Sequence, residues 1–174
     1  MVIETIQHQD LKWYHILTPT EENLKFLQDN FHFHPLDIED CRSKTQRPKI
    51  DIYDDYYFVI LHFPYYDKVN KFLKTKEVKI FWGKDYIITV GNSHWVVRDL
   101  FNRAKENKKL TEELLSESSD RLLYRILERI LSKILWNEFI HLIIEIMWFG
   151  DVVNLPPFLM FKQKRDIKKL VKKL

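Results

Sequence analysis

The spacing of hydrophobic positions changes several times along the first 45 residues, and each change predicts a new element. The aromatic-rich run LKWYHIL (11–17) is typical of a strand. Hydrophobic residues then recur at spacings of three and four, at Leu24, Leu27 and Phe31. This spacing predicts an amphipathic helix of about three turns, for which Thr18 is the expected N-cap. Pro35 favours a second, short helix that runs through Cys41.

The middle of the chain carries patterns that are typical of strands. Residues 49–63, KIDIYDDYYFVILHF, begin with alternation and continue as an apolar run, which predicts one central strand with a bend or solvated end at Asp54 and Asp55. The runs EVKIFWG and DYIITVG flank residues 83–85 and predict a hairpin. The segment HWVVRDLFNRAKENKK (94–109) predicts a helix whose final lysines suit the negative end of the helix dipole.

A stripe of two adjacent apolar positions every four residues predicts a long helix in the last third of the chain. Its members are Leu122, Leu123, Ile126, Leu127, Ile130, Leu131, Ile134 and Leu135. The whole order of elements predicts an α/β fold, a mixed β-sheet layered with α-helices and followed by a helical extension. We place the α/β domain at residues 1–118 and the helical extension at residues 119–174.

Composition narrows the class of protein without identifying a function. The chain has 174 residues, of which 45 % are hydrophobic, so we expect a folded domain. One cysteine, Cys41, excludes an internal disulfide and fits a reducing compartment. The most apolar stretch, 134–149, is interrupted by Glu138, His141 and Glu145, so we expect that this chain does not span a membrane by itself.

The positive charge is concentrated at the C-terminus. Residues 162–174 hold seven basic and one acidic residue, whereas the remaining 161 residues hold 21 basic and 24 acidic residues. A solvated helix end explains such a tail, and contact with an anionic membrane surface or nucleic acid is the alternative. The tail has no aromatic side chains between its charges that could stack on bases, so we do not expect a nucleic-acid partner.

Three acidic residues, Asp37, Glu39 and Asp40, lie within four positions of the second predicted helix. In one interpretation they stabilise the helix start, because carboxylates there favour the positive end of the dipole. In the other they bind a divalent cation, because hard cations such as Mg²⁺ prefer oxygen ligands. Asp37 and Asp40 can share one helical face, whereas neighbouring residues diverge by about 100°. A second acidic group, Asp51 with Asp54 and Asp55, is interpreted as a solvated turn.

Other kinds of site have weaker support in the sequence. His32, His34 and Cys41 carry zinc-type ligands, but no second paired motif accompanies them, and a lone cysteine among apolar residues more often packs in a core. The common local signatures of hydrolases, zinc proteases and nucleotide-binding loops are absent from the sequence. We therefore do not expect an enzyme.

The stretch HPLDIEDCRSKTQRPKIDIYDDYYFVIL (34–61) resembles the cytosolic part of the CorA family of magnesium and cobalt transporters. That family combines His-Pro-Leu, an acidic pair, a short gap, Arg-Pro-Lys and a strand rich in acidic and aromatic residues. The similarity extends upstream to WYHILTPTEENLKFLQDNF and downstream to EVKIFWGKDYIITV and RLLYRILERIL, so it covers about residues 11–134.

The resemblance implies a cytosolic α/β domain that leads into a long helix directed at the membrane. It places the regulatory carboxylate at Asp40, with Glu39 beside it and Asp37 as a further candidate, and it implies Mg²⁺ or Co²⁺ as the regulatory ion. Full-length relatives are pentamers at the cytoplasmic face of the cell membrane, so the resemblance implies a homo-oligomer. The resemblance implies that such full-length proteins are anchored in the membrane by two C-terminal helices.

Those membrane helices and the family's Gly-Met-Asn pore motif have no counterpart in the 174 residues. The resemblance therefore implies a divalent-cation-sensing regulatory domain without its pore, and we expect this chain alone to be soluble. The alternative is a stand-alone oligomerisation or interaction module that has the fold and does not sense ions. In that alternative the apolar stripe at 122–149 would be the interface.

Overall fold

The computed structural model describes residues 3–43, 46–67, 70, 72–91 and 95–149, which form six strands and five helices. The strands are β1 (Glu4–His8), β2 (Leu11–Ile16), β3 (Lys49–Ile52), β4 (Tyr56–Asp67), β5 (Phe72–Gly83) and β6 (Tyr86–Val90). The helices are α1 (Glu21–Phe31), α2 (Pro35–Arg42), α3 (Trp95–Glu106), α4 (Lys108–Leu115) and α5 (Ser119–Phe149). The element order agrees with the predicted α/β class.

All six strands belong to one sheet with the order β1-β2-β6-β5-β4-β3. The neighbouring strands β2 and β6 are parallel, and the other pairs are antiparallel. Strands β4 and β5 pair over their full lengths, from Tyr56 opposite Gly83 to Asp67 opposite Phe72. The sheet is therefore mixed, and the predicted fold class is confirmed.

Helices cover both faces of this sheet because successive side chains of a strand point to opposite faces. On one face, Phe58, Phe81 and Ile88 belong to a buried cluster that includes residues of α1 and α2. On the other face, Val59 and Ile80 belong to a cluster that includes residues of α3, α4 and α5. The predicted stripe supplies α5's part of that cluster through Leu122, Ile126, Ile130 and Ile134.

The chain divides into two compact units, Met1–Leu135 and Trp136–Leu174. The sheet, the first four helices and the beginning of α5 lie in the first unit, and the described residues of the second unit, 136–149, are helical. Compact units do not decide where an independent domain begins, so the boundary between residues 118 and 119 stays a prediction. The basic tail at 162–174 lies outside the described residues.

Several local predictions were wrong. Residues 49–63 form two strands and not one, because the chain bends at Asp54 and Asp55 and returns as an antiparallel pair. The N-cap of α1 is Thr20 and not Thr18, since the Thr20 hydroxyl accepts the Asn23 amide at 3.3 Å. The strand β1 was not predicted, although it pairs with β2 along its whole length.

The lysines expected at the end of α3 begin the next helix instead. Helix α3 ends at Glu106, and the Asn107 side chain accepts the Leu110 amide at 3.2 Å as the N-cap of α4. Lys108 and Lys109 therefore occupy the first turn of α4, where the dipole does not favour them. An asparagine cap is a stronger start signal than the lysines are a stop signal.

Candidate functional site

Helix α2 carries the acidic residues, and a side chain before it fixes where it begins. His34 is the N-cap: its Nδ1 accepts the Leu36 amide at 3.2 Å, and Pro35 occupies the first helical position. A proline suits that position because its missing N–H would have no helical partner there. The amide-capping contact at the start of α2 is therefore made by His34, while Asp37 lies in the first turn, where a carboxylate favours the positive end of the dipole.

Asp37 is fully buried and accepts hydrogen bonds from two tyrosines. The Tyr56 hydroxyl donates to Oδ2 at 2.8 Å, and the Tyr53 hydroxyl donates to Oδ1 at 3.2 Å. The two rings stack with their centroids 4.5 Å apart. Burial raises the pKa of the Asp37 carboxyl, and the hydrogen bonds from Tyr56 and Tyr53 only partly offset this effect. Asp37 thus ties α2 to the beginning of β4.

Asp40 lies one helical turn further along α2 and is bound by a lysine from β3. The Lys49 ammonium contacts Asp40 Oδ2 at 2.6 Å and Asp51 Oδ2 at 2.5 Å. Lys49 and Asp51 share a face of β3 because they are two positions apart, and the intervening Ile50 is 61 % exposed on the other face. A single ammonium therefore bridges carboxylates from a helix and a strand.

Asp37, Asp40 and Asp51 form a group in which one carboxylate oxygen of each lies within 4.8 Å of the others. The sequence correctly indicated that Asp37 and Asp40 share a face, but it did not indicate Asp51, which we interpreted as part of a solvated turn. The alternation in KIDI is the signal that could have found Asp51, since it places Lys49 and Asp51 side by side.

The chemistry of these groups suits a hard cation, which prefers oxygen donors. Three carboxylates face a single ammonium, so the group has an excess of negative charge. Partial burial works against a charged Lys49, but the hydrogen bonds to Asp40 and Asp51 outweigh it and raise the pKa of Lys49. Asp40 and Asp51 can serve as cation ligands only in competition with Lys49, whereas Asp37 is already bound by the two tyrosines.

The remaining candidates lie in different surroundings. Glu39 is exposed and stands outside the group of three carboxylates. His32 is the exposed C-cap of α1 in the left-handed region, and the His34 imidazole caps α2. Cys41 is buried, and this burial raises the pKa of its thiol to about 12, which disfavours the thiolate that zinc needs. The zinc interpretation therefore has no support among the described residues.

A model of the family described as CorA-like Mg²⁺ transporter protein matches residues 8–139. The chain belongs to the CorA family. The match includes α2, the α2–β3 connection, the whole sheet from β2 to β6 and most of α5, so it confirms the resemblance found in the sequence.

Two relatives show how much of a CorA-family protein this chain represents. It is 32 % identical over 134 residues to YfjQ of Bacillus subtilis, named as a candidate metal ion transporter, and this covers 75 % of the chain and 40 % of YfjQ. It is 26 % identical over 99 residues to the cobalt/magnesium transport protein CorA of Thermotoga maritima, covering 56 % of the chain and 27 % of that protein. The chain thus spans less than half the length of these relatives.

Solved structures share the fold of this chain. The soluble domain of CorA from Methanocaldococcus jannaschii has a TM-score of 0.59 at 18 % identity, over 82 % of this chain and 55 % of that chain. Full-length CmaX has a TM-score of 0.61 at 14 % identity, over 82 % of this chain and 42 % of that chain. Within the described residues, each helix is too short or insufficiently apolar to cross a membrane.

Proposed function

We propose that this CorA-family chain is a cytosolic regulatory domain that senses divalent cations for a magnesium/cobalt transporter. The observation that carries the proposal is the position of Asp40, whose carboxylate is held next to Asp51 by one ammonium in an otherwise acidic group. Mg²⁺ is the proposed regulatory ion, with Co²⁺ as a second, in keeping with the name of the Thermotoga relative.

In this proposal the chain works as a homo-oligomer at the cytoplasmic face of the cell membrane, with five copies as the resemblance to full-length relatives implies. A cation held by Asp40 of one copy, with the exposed Glu39 beside it, offsets the repulsion between acidic surfaces of neighbouring copies. When the ion is lost, the repulsion favours separation of the copies.

We also infer that the chain is neither an enzyme nor a nucleic-acid-binding protein. The curated relatives described above are named for ion transport, and the group around Asp40 consists of oxygen acceptors and one ammonium, without a nucleophile hydrogen-bonded to a base. The interaction-module alternative needs the apolar stripe at 122–149 as its interface. Part of that stripe is not available to a partner, because Leu122, Ile126, Ile130 and Ile134 are buried in the domain's own core.

Substituting Asp40→Asn is expected to weaken Mg²⁺ and Co²⁺ binding to the 174-residue chain. Removing a group that supports a metal ligand typically lowers metal affinity roughly 10–100-fold. Asp40→Asn removes a ligand itself, so the affinity should fall by at least that factor. Isothermal titration calorimetry measures the affinity, and sedimentation velocity with and without chelator measures the association of copies. The control is Asp29→Asn, which removes an exposed carboxylate of α1.

Equal affinities for the wild type and Asp40→Asn would contradict the sensing role of Asp40. If the wild type has no saturable heat with either ion, and its association is the same in chelator, then the interaction-module alternative is correct and the sensing proposal is wrong.

Substituting Lys49→Met is expected to tighten Mg²⁺ binding about tenfold, because an incoming ion no longer competes with the ammonium for Asp40 and Asp51. Lys49→Arg keeps the charge and should leave the affinity close to that of the wild type. The same titration measures all three proteins. A weaker affinity in Lys49→Met would show that the lysine does not compete with the ion.

A further inference from the structure

A second lysine, Lys79, contacts the main chain of Asp40, whose side chain is bound by Lys49. Lys79 lies on β5 and is only 5 % exposed. Its ammonium donates to the carbonyl oxygen of Asp40 at 2.6 Å and to that of Ser43 at 2.8 Å, and it pairs with Glu77 Oε1 at 2.9 Å. An ammonium has three N–H donors, so these three acceptors satisfy all of them.

Glu77 extends the same contact to the chain beyond α2. Its Oε2 accepts the Gln46 amide at 2.6 Å and lies 3.4 Å from His62 Nε2. Glu77 and Lys79 are two positions apart on β5, so they share the face that carries α2. Together they hold the end of α2 and the segment that leads from it toward β3.

The location of these contacts explains why a charge is buried there. The last carbonyl groups of a helix have no partner within the helix, and a cation near them is favoured by the dipole. Arg42 is the basic side chain of the last turn, but it is exposed and bound to Glu21 of α1, with its Nη2 2.6 Å from Oε2. The Asp40 carbonyl oxygen at the end of α2 therefore accepts from Lys79 of the sheet, in addition to the Ser43 hydroxyl at 3.1 Å.

We propose that Lys79, supported by Glu77, is a positioning residue for ion sensing at Asp40. Lys79 holds the carbonyl group of Asp40 and thereby the part of α2 from which the Asp40 carboxylate projects, whereas Lys49 competes with the ion for that carboxylate. This inference rests on the proposed sensing function. Groups that orient a metal ligand typically change metal affinity about 10–100-fold when they are lost.

The experiment compares the wild-type chain with Lys79→Met and with the double variant Glu77→Gln/Lys79→Met. The single variant leaves the partly buried Glu77 carboxylate without the Lys79 ammonium, whereas the double variant removes that charge and keeps an acceptor for Gln46. Lys74→Met is the matched control, because Lys74 is also an ion-paired lysine of β5 and contacts Asp67 instead of α2. Each protein is measured by thermal unfolding, by amide hydrogen exchange and by Mg²⁺ titration.

We expect faster amide exchange in the last turn of α2 for both Lys79 variants, with α1 unchanged, and Mg²⁺ binding weakened about tenfold or more. The double variant should regain thermal stability without regaining Mg²⁺ affinity, which a merely structural role would not produce.

Three other outcomes would overturn the inference. If Mg²⁺ affinity returns together with stability in the double variant, Lys79 acts through stability alone. If the wild type binds Mg²⁺ and both Lys79 variants bind it equally well, the positioning role is wrong while the sensing proposal stands. If the wild type does not bind Mg²⁺, both proposals are wrong.

Discussion

Replacing Phe33 with alanine is expected to lower the free energy of unfolding by about 3–5 kcal/mol. Phe33 is 2 % exposed and stacks on Phe81 of β5 with ring centroids 4.0 Å apart. It also contacts the rings of Phe31 at 5.3 Å and Tyr56 at 4.6 Å. A truncated side chain at this position leaves a cavity between the sheet and the start of α2, because the neighbouring rings are held by their own contacts.

Chemical denaturation of Phe33→Ala measures this loss directly. Phe33→Leu should cost less, because the side chain remains apolar and fills part of the space. Phe72→Ala is the matched control: Phe72 is 50 % exposed at the start of β5, and a surface substitution of this kind usually changes stability by about 0.5 kcal/mol or less. Similar losses for Phe33→Ala and Phe72→Ala would contradict the packing described for Phe33.

Acidification from pH 6.5 to pH 4 is expected to remove on the order of 3 kcal/mol of folding free energy through one side chain, His15. His15 is 3 % exposed, its ring lies against Phe101, and its Nδ1 is 2.9 Å from the Thr89 hydroxyl. Burial lowers the pKa of His15 to about 4, while the charge of Glu4 opposes this effect. The other ring nitrogen, Nε2, is buried and has no hydrogen-bond partner among the residues that the structure describes.

The direction of this effect follows from the two pKa values. The unfolded chain takes up a proton at His15 near pH 6.5, whereas the folded chain does so only near pH 4. Protonation of His15 therefore does not reduce the free energy of unfolding well above pH 6.5, and it reduces that free energy as the pH falls toward 4.

The test is chemical denaturation of the wild type and His15→Asn at a series of pH values. Asparagine can replace Nδ1 in the contact with Thr89 but does not titrate, so the slope between pH 6.5 and 4 should become smaller in this variant. His8→Asn, at a partly exposed position of β1, controls for the loss of a histidine. If His15→Asn and His8→Asn have the same slope, then His15 is not the cause of the acid sensitivity.

The sequence predicted most elements because their hydrophobic period depends on the side chains of one segment alone. The stripe in α5 and the hairpin of β5 and β6 are examples, and both are confirmed. The bend between β3 and β4 was placed correctly at Asp54 and Asp55, but its consequence, a separate edge strand, was missed. The apolar run on its far side has the composition of a single long strand, so the pattern alone could not separate the two.

Only the part of the candidate site that is formed by residues close together in the sequence could be predicted. Asp37 and Asp40 lie in one helix, so their common face follows from helical geometry. The partners that determine their chemistry lie elsewhere: Lys49 and Asp51 come from β3, and Lys79 comes from β5. Their positions depend on how the sheet is ordered, which local spacing does not specify.

The parallel pairing of β2 with β6 has a consequence for the order in which the protein folds. His15 of β2 and Thr89 of β6 are 74 positions apart, and they are joined by a hydrogen bond near the centre of the sheet. On the ribosome, β1 and β2 are complete long before their partner strand has been synthesised. The pairing of β2 in the sheet therefore cannot form until β6 has been synthesised.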